Sequence, residues 1–547
     1  MVLFTAAMII IPLVAILYGA LRSDAPGAPD ATWSLQNLLH VYTNERYLNS
    51  LRNTLSLSVV VAALSVCLGA AMAWIVARTN APFRDGLALL ILIPLMMSNL
   101  ITTLAWIALA APNAGFINVI WKNLTGSTLY DIYSFSGMVM VLVTDHASFA
   151  FVAFYAALRS LDRSLEEASH ICGANAIRTA FKMTLPLVWP TVVTSFIMIA
   201  IMTSENFSVP TLLGSKVGFQ TLPSSIFIDM TDDPSKPTRA AAAGTMLLWI
   251  AIVGTWWQRR ILARSSRYVT IGGKGGRSQP LDLGKWKWAA TAFLCLFLIV
   301  AVVLPYAALF FSSFLKFLTA KITLKSFTLS NYEFLFEKDT RLAATNTLLY
   351  AGVFGAVVSV VYVVLSYIVR QVSNSRGGAV VEYLMMIPSS IPAIVLAVGL
   401  MWAYVGVDLP IYGTAFILLI GYFVRYIGLG VRHGRNALSQ ISPDLMEAAR
   451  VAGAGQTRAV RDITLPLVMP SVGALWTLLF MSLFTEISIT ILLYSSSSMT
   501  LPVLLWKAMA AGYQTEAFAI AIVQAGIIFA LIALANWKFG ILRKALQ

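Results

Sequence analysis

The 547-residue chain is poor in charged residues and in cysteine. Asp, Glu, Lys and Arg make up 11% of the sequence, whereas hydrophobic residues make up 59%. This composition excludes a soluble globular protein, and it is typical of a membrane protein with many spans. The three cysteines, Cys67, Cys172 and Cys295, are scattered. We therefore expect neither a disulfide framework nor a metal cluster built on cysteine.

The sequence also lacks the motifs of a nucleotide-hydrolysing or metal-dependent enzyme. No GxxxxGK[ST] loop occurs, and the glycine-rich run GGKGGRSQP has neither that pattern nor a preceding strand. His146 lies within an apolar stretch, and no second His or Cys stands at ligand spacing from it. We expect no catalytic residue, no bound cofactor and no metal site in this chain.

Apolar segments predict about twelve transmembrane helices, because each is close to the ~20 residues that cross a bilayer as an α-helix. The first segment lacks a basic start and a clean cleavage pattern, so we interpret it as a retained helix. We predict an all-α polytopic membrane protein with two sets of six helices. The segments lie near residues 2–20, 54–77, 86–109, 136–158, 190–210 and 240–258, and near 288–312, 346–369, 380–404, 411–431, 470–494 and 518–537.

The two sets of segments repeat each other in sequence. Residues 166–190 are matched by residues 446–470, at an offset of 280 residues. Asn53-Thr54 recurs as Asn346-Thr347, and Ile93-Pro94 as Ile387-Pro388. Two halves of like orientation imply parallel repeats about an axis normal to the bilayer, with a path at their interface.

The distribution of basic residues predicts the orientation of the chain. Most Lys and Arg lie in the even-numbered connections, which include both repeated loops, so we expect these loops and both termini to be cytoplasmic. The net charge of +14 then reflects loop residues and indicates no nucleic-acid partner. We divide the chain into a first half at 1–262, a basic, glycine-rich cytoplasmic linker at 263–287 and a second half at 288–547.

The repeated loops, at 159–189 and 432–469, carry a distinctive pattern of Glu-Ala, glycine and Leu-Pro. This pattern resembles the EAA loop of binding-protein-dependent ABC transporter permeases with the type I importer fold, and the resemblance covers essentially the whole chain. The matching residues are Glu167, Ala168, Gly173, Leu185 and Pro186 in the first half, and Glu447, Ala448, Gly453, Leu465 and Pro466 in the second.

The resemblance implies a transport subunit rather than an enzyme. It implies that each loop binds one copy of an ABC ATPase subunit, which carries ATP and Mg²⁺, and that a periplasmic or surface solute-binding protein delivers the solute. A bacterial inner membrane, with lipid around the spans, is the expected location. The fused two-half layout resembles the ferric iron permeases, so we expect ferric iron. Thiamine, 2-aminoethylphosphonate or another small anion are the alternatives.

Local sequence supports a short helix in each loop. Ser442-Pro443-Asp444 is typical of a helix start, and Gly173 and Gly453 are placed where a helix ends. The following Leu-Pro-Leu-Val-x-Pro predicts a bend before the next span. An ordinary amphipathic connection is the alternative for one loop, but two matched copies favour a docking site for a partner.

Five polar residues within the spans are candidates for the solute path: Asp145, His146, Glu205, Arg425 and Glu486. Asp145 and Arg425 stand 280 residues apart, so we consider that they pair across the interface and relieve the cost of burying each charge. The alternative is that each charge is satisfied within its own half. Glu205 and Glu486 either face a cation or polar solute, or cap the end of a span. His146 is more typical of a satisfied interior side chain than of a metal ligand.

Two rival functions fit parts of the sequence. A secondary transporter driven by an ion gradient explains the parallel repeat, with Asp145 as a proton site, but it leaves the duplicated loops unexplained. A membrane scaffold without transport leaves the charges within the spans unexplained.

Overall fold

The computed structural model describes residues 2–161, 166, 169, 171–265, 281–319, 323–372, 381, 384–407 and 409–539. In this part of the chain the secondary structure is mainly α-helical, with short π-helical and 3-10 turns, and the only β-structure consists of isolated bridges. Nine helices there are long and apolar enough to cross a membrane, and two further apolar pairs are bent. With the N-terminal apolar helix, they correspond to the predicted segments. The prediction of an all-α polytopic membrane protein is confirmed. Residues 266–280 of the predicted linker lie outside the described residues.

The helices follow the same order in both halves. Those of the first half are α1 (Val2–Ala20), α2 (Glu45–Arg78), α3 (Arg84–Met96), α4 (Asn99–Ala110), α5 (Phe135–Ser160), α6 (Ala180–Ser204), α7 (Leu222–Thr231) and α8 (Pro237–Ser265). Those of the second half are α9 (Trp286–Ser312), α10 (Lys338–Arg370), α11 (Leu384–Ser390), α12 (Ala393–Tyr404), α13 (Ala415–Ser439), α14 (Pro443–Val451), α15 (Val460–Phe484), α16 (Leu501–Ala510) and α17 (Gln514–Phe539). Shorter helices cover Gln36–Thr43 and Phe116–Thr125.

Two of the predicted spans are bent pairs of helices rather than single helices. α3 and α4 meet at 100°, and α11 and α12 meet at 116°. At the first break Ser98 caps α4, because its hydroxyl accepts the N–H of Leu100. At the second break Pro392 stands at the cap of α12, where its missing N–H removes a donor from the chain. Both breaks place backbone polar groups inside the apolar layer, which membrane proteins tolerate where that backbone lines a cavity.

The first helix of each half packs against the opposite half. Gly19 of α1 lies so close to the ring of Trp402 in α12 that an added Cβ would clash with it. On the other side of the molecule, Tyr306 of α9 shares a 3.0 Å hydrogen bond with Thr102 of α4. Because the first helix of each half packs against the other half, helix packing joins the two halves in addition to the linker.

The repeated Asn-Thr pairs hold matching segments of the two halves. Thr54 of α2 accepts the N–H of Leu222, at the start of α7, at 2.9 Å. Thr347 of α10 accepts the N–H of Leu501, at the start of α16, at 2.8 Å. The sequence repeat thus corresponds to the same tertiary contact made twice, which fixes the segment that follows α6 in one half and α15 in the other.

Candidate functional site

The second repeated loop contains the short helix α14. Ser442 caps it, since its hydroxyl accepts the N–H of Asp444 at 3.3 Å, and Pro443 occupies the first turn. Asp444 places a negative charge at the positive end of the helix dipole. The predicted helix start is therefore confirmed. Glu447 and Ala448 lie on α14 with exposed side chains.

Both repeated loops end their helical segment in the same way. Gly173 and Gly453 have φ angles of 83° and 81°, a left-handed conformation that residues with a side chain rarely adopt. The N–H of the alanine after each glycine bonds to the carbonyl five residues before it. That carbonyl belongs to Ser169 in the first loop, at 3.1 Å, and to Ala449 in the second, at 2.9 Å. This is the hydrogen bond of a glycine-terminated helix end.

Glu167 and Ala168 of the first loop lie outside the residues that the structure describes. The neighbouring Glu166 is described, and its carboxylate accepts the hydroxyl of Thr184 at 2.9 Å. The same carboxylate lies 3.2 Å from Nε of Arg78, a buried residue at the end of α2. The first loop is thereby tied to both α2 and the start of α6.

The Leu-Pro pairs after the loops do not end the helix before the next span. Leu185-Pro186 lies within the continuous helix α6, and Leu465-Pro466 lies within α15. Each pair follows a π-helical turn, at Ala180–Thr184 and Val460–Thr464. A proline in an α-helix clashes with the carbonyl four residues before it. The wider π turn accommodates that ring, so the loop connects to its span without a helix end.

The end of the predicted linker pairs with the loop after α2. Leu281 donates its N–H to the carbonyl of Arg78 at 2.9 Å and accepts the N–H of Asn80 at 3.1 Å. The carboxylate of Asp282 accepts the N–H of Gly284 at 2.9 Å and the side-chain amide of Asn80 at 2.6 Å. These two hydrogen bonds, the one from Gly284 first, lower the pKa of Asp282. The start of the second half is thus held beside the first repeated loop.

A cavity of about 340 Å³ lies between the two halves. The broken ends of the bent helix pairs, together with α5, α13 and the residues that end α6 and α15, form its wall. Four of the five predicted path residues line it: His146, Glu205, Arg425 and Glu486. The fifth, Asp145, is next to His146 in α5 and is buried.

Twelve of the residues that line the cavity form six pairs at the repeat offset of 280. The cavity therefore lies on the axis that relates the two halves, and in five of the six pairs the two halves contribute different side chains. The matched positions are His146 and Tyr426, Met202 and Ser482, Glu205 and Thr485, Asn206 and Glu486, Phe207 and Ile487, and Ser208 and Ser488.

Arg425 forms an ion pair across the cavity, but its partner is not the predicted one. Its Nη2 lies 3.0 Å from each carboxylate oxygen of Glu205, and its Nη1 donates to the carbonyl of Ile391 at the break before α12. Of the two interpretations considered, Asp145 and Arg425 do not pair with each other in this structure: Asp145 lies 2.9 Å from Nδ1 of His146 within its own half, whereas Arg425 pairs with Glu205 of the other half. Glu205 can reach Arg425 because it stands at the end of α6, where the chain leaves the helix.

Glu486 caps the turn that follows it in the sequence. Its carboxylate accepts the N–H of Ile489 at 3.1 and 3.2 Å, the N–H of Thr490 at 3.2 Å and the hydroxyl of Thr490 at 2.9 Å. Asn206, at the matching position of the first half, accepts the N–H of Val209 at 3.1 Å. Of the two interpretations considered for Glu486, capping is the one that the contacts show.

His146 faces the cavity with one nitrogen turned toward an acid. Only 1% of the residue is exposed, and Nδ1 lies 2.9 Å from Asp145, but neither ring nitrogen has a hydrogen-bond partner among the described residues. Both ring nitrogens are buried, so Asp145 is a charged neighbour of the imidazole rather than its hydrogen-bond acceptor. In the described part of the chain, no group of three or more His, Cys, Asp and Glu side chains is arranged to hold a metal ion.

Several cavity residues were missed by the sequence analysis. Tyr426 and Thr485 occupy the repeat positions of His146 and Glu205, so the offset of 280 was the signal that could have found them. Ser98-Asn99 at the first break is a polar pair inside an apolar segment, and that contrast marks the place where the helix is interrupted.

The family model for binding-protein-dependent transport system inner membrane components matches residues 55–267 and 362–546. The chain belongs to this family. It is a multi-pass permease subunit of a bacterial ABC importer, as the resemblance of the repeated loops implied, and the family is one of transport permeases rather than catalytic enzymes. The secondary transporter and the scaffold considered as rival functions are thereby rejected.

Three relatives are ferric transport permeases. The chain is 25% identical to the putative ferric transport system permease protein FbpB 1 of Haemophilus influenzae over 473 residues, which are 85% of this chain and 73% of the relative. It is 25% identical to the ferric transport system permease protein FbpB of Actinobacillus pleuropneumoniae, over 75% of this chain and 59% of the relative. It is 23% identical to the Fe(3+)-transport system permease protein FbpB 2 of Haemophilus influenzae, over 90% and 88%.

A solved structure is also similar to part of the chain. It is the crystal structure of a bacterial ABC transporter involved in the import of the acidic polysaccharide alginate. The identity is 18% and the TM-score 0.39, over 48% of this chain and 96% of that chain.

Proposed function

We propose that this permease passes ferric iron, delivered by a periplasmic or surface binding protein, into the cytoplasm through the central cavity. The cavity on the repeat axis is the observation that carries the proposal. Its lining includes the carboxylates of Glu205 and Glu486 and the guanidinium of Arg425, and Asp145 lies 2.9 Å from the lining residue His146. This acidic excess favours a cation over an anion such as a phosphonate. The ferric permeases among the relatives support iron as the cation.

Each repeated loop receives one copy of an ABC ATPase subunit in this proposal. An exposed apolar residue supports a docking role, because Ile171 in the first loop is 87% exposed and Val451, its match in the second, is 90% exposed. Matched apolar side chains on two polar loops are typical of a surface that a partner covers. ATP and Mg²⁺ bind to the ATPase subunits, and this chain binds no cofactor of its own.

Movement of the ATPase subunits would pass to the cavity along continuous helices. The loops join α6 and α15 without a helix end, and the residues after these helices include Glu205 and Glu486. A rigid helix therefore connects each docking loop to the cavity wall. We place both termini and both loops on the cytoplasmic face of a bacterial inner membrane.

Transport in proteoliposomes tests the solute. The permease is reconstituted with its ATPase subunits, and the binding protein is added outside, loaded in separate experiments with ferric iron, thiamine or 2-aminoethylphosphonate. ATP-dependent uptake of iron is expected, with no uptake of the other two solutes. Uptake of thiamine or the phosphonate in place of iron would refute the assignment of the solute.

Loss of the ATPase subunit tests the docking loops. Ile171→Asp together with Val451→Asp should abolish co-purification of the ATPase subunit, because a charge replaces the apolar contact on each loop. Leu124→Asp is the matched control, since Leu124 is 76% exposed on the helix Phe116–Thr125, which the orientation places on the opposite face. If the control loses the ATPase subunit as completely, the loops are not the docking sites.

A further inference from the structure

We propose that the guanidinium of Arg425 is paired with the carboxylate of Glu205 while the path is closed, and that a cationic solute replaces the guanidinium during transport. The inference rests on the proposed import of a cation and adds the residue that controls it. It assigns Glu205 as a carboxylate that binds the solute within the cavity and Arg425 as the positioning residue that pairs with this carboxylate until the solute arrives.

The ion pair joins parts of the molecule that must separate for the path to open. Glu205 ends α6 of the first half, whereas Arg425 lies in α13 of the second half, and both line the cavity on the repeat axis. Arg425 also donates to Ile391, at the break between α11 and α12. One guanidinium therefore holds together α6, α13 and the broken helix pair of the second half. Relative movement of the halves has to break the contact of 3.0 Å with Glu205.

The two carboxylates of the cavity differ in how they are used. Both carboxylate oxygens of Glu486 accept backbone N–H groups from residues that follow it in the sequence, Ile489 and Thr490. Both oxygens of Glu205 contact Nη2 of Arg425. When Arg425 moves away, Glu205 becomes available to a solute, whereas Glu486 stays engaged. The structure thus singles out Glu205 among acids that looked equivalent in sequence.

His146 lies on the same wall of the cavity as Glu205. Its Nδ1 lies 2.9 Å from Asp145, but both ring nitrogens are buried and neither has a hydrogen-bond partner in the described part of the chain. Carboxylate and imidazole are both ligands of metal cations. Among the described residues, no three or more His, Cys, Asp and Glu side chains are arranged to hold a metal ion, so the exchange is assigned to Glu205 and Arg425.

Charge balance explains why the path stays closed without solute. A carboxylate inside the membrane is strongly unfavourable unless a cation compensates it. Withdrawal of Arg425 alone would leave Glu205 uncompensated beside Glu486 and Asp145. Withdrawal with simultaneous entry of a cationic solute keeps the local charge balanced. The exchange therefore favours opening with solute present and opposes an empty, leaking path.

ATP hydrolysis by the assembled complex, without binding protein, tests the closing role. Glu205→Gln and Arg425→Gln should each raise this basal rate by about fivefold or more, the low end of typical coupling between two conformational states. Glu205→Arg combined with Arg425→Glu should bring the rate back toward that of the wild type. Arg46→Gln is the matched control, because it breaks the 3.4 Å pair of Arg46 with Asp229 inside the first half and should leave the basal rate unchanged.

Uptake of the cation tests the replacement step. Glu205→Gln should lower ATP-dependent uptake by about tenfold, the scale of one lost charge-assisted contact. Arg425→Lys, which keeps the charge, should retain both uptake and a low basal rate of hydrolysis. Correct assembly of each variant is checked by size-exclusion chromatography of the complex, so that a folding defect is recognised.

Defined outcomes overturn the inference. One such outcome is that the variant with exchanged charges hydrolyses ATP, without binding protein, as fast as either single variant. Another is that Glu205→Gln transports normally. In either case the solute does not replace Arg425 at Glu205. If the wild type does not import ferric iron, the proposed solute fails, while the basal rates still decide the closing role of the pair.

Discussion

Replacement of Glu486 separates a capping role from a transport role in the same cavity. Its carboxylate holds the N–H groups of Ile489 and Thr490 and the hydroxyl of Thr490, and the residue is 8% exposed. Glu486→Leu removes every acceptor at this position. Glu486→Gln keeps one oxygen, which can accept an N–H much as Asn206 does in the first half. We expect the leucine variant to be markedly less stable than the glutamine variant.

The magnitude follows from the number of donors that lose their acceptor. A buried donor left without a partner costs about 1–3 kcal/mol. In Glu486→Leu, the hydroxyl of Thr490 can turn to the backbone carbonyl of Glu486, which lies 3.3 Å away, so two N–H groups remain unpaired. The expected loss is therefore about 2–6 kcal/mol. Glu486→Gln leaves at most one N–H unpaired and should lose about 1–3 kcal/mol. Asn206→Leu, which strands the N–H of Val209, should fall in the same lower range.

Thermal unfolding in lipid nanodiscs, followed by tryptophan fluorescence, measures this order. Glu486→Leu should unfold at the lowest temperature, with Glu486→Gln and Asn206→Leu between it and the wild type. Iron uptake by Glu486→Gln should also exceed that of Glu205→Gln, because the oxygens of Glu486 are engaged by its own backbone. A leucine variant as stable as the glutamine variant would refute the capping argument.

The remaining predictions concern the loops and the contacts that hold the halves in place. Gly453→Val should weaken co-purification of the ATPase subunit, because a left-handed φ costs a residue with a side chain about 1–2 kcal/mol or more. Gly453→Asn, the control, should be tolerated. Normal binding of the ATPase subunit by the valine variant would contradict this prediction. Asn346→Ala should destabilise the protein about twice as much as Asn53→Ala, measured by unfolding in nanodiscs. Asn346 donates two hydrogen bonds of 2.9 Å and Asn53 donates one, and each acceptor left without its donor costs about 1–3 kcal/mol. Equal effects of the two substitutions would contradict this prediction. Docking of Leu281 and Asp282 against the loop after α2, measured as the distance between spin labels, should persist as the pH falls to the ordinary pKa of aspartate and should be lost below it. The reason is that the pKa of Asp282 is lowered in the folded state. Loss of docking at a higher pH would point to another group.

Hydropathy predicted where the chain enters the apolar layer but not its direction within it. The segments near 86–109 and 380–404 have the composition of ordinary spans, yet each turns by more than 90°. The turn depends on one capping hydroxyl at Ser98 and on Pro392, and on packing against helices of the other half. A sliding average over ~20 residues does not register single residues of this kind.

The repeat offset located the charged positions of the path but did not decide their partners. Asp145 and Arg425 occupy equivalent positions, and equivalent positions lie on opposite sides of the repeat axis. They touch only if they stand on the axis itself. Arg425 instead extends across the cavity to Glu205, which the end of α6 brings toward it. The sequence therefore indicated which groups enter the cavity, whereas the pairing depended on where each helix ends.

Fusion of the two halves into one chain has a chemical consequence at the cavity. In a permease of two identical subunits, every residue of the lining would occur twice about the axis, so one acid facing one base would become two of each. Here Glu205 is matched by Thr485, and Arg425 by Asp145. A single cross-half contact can then form, and in the proposed exchange a single solute cation replaces it. If the duplicated loops bind two copies of one partner, as proposed, only the loops must stay alike, and the cavity between them can be asymmetric.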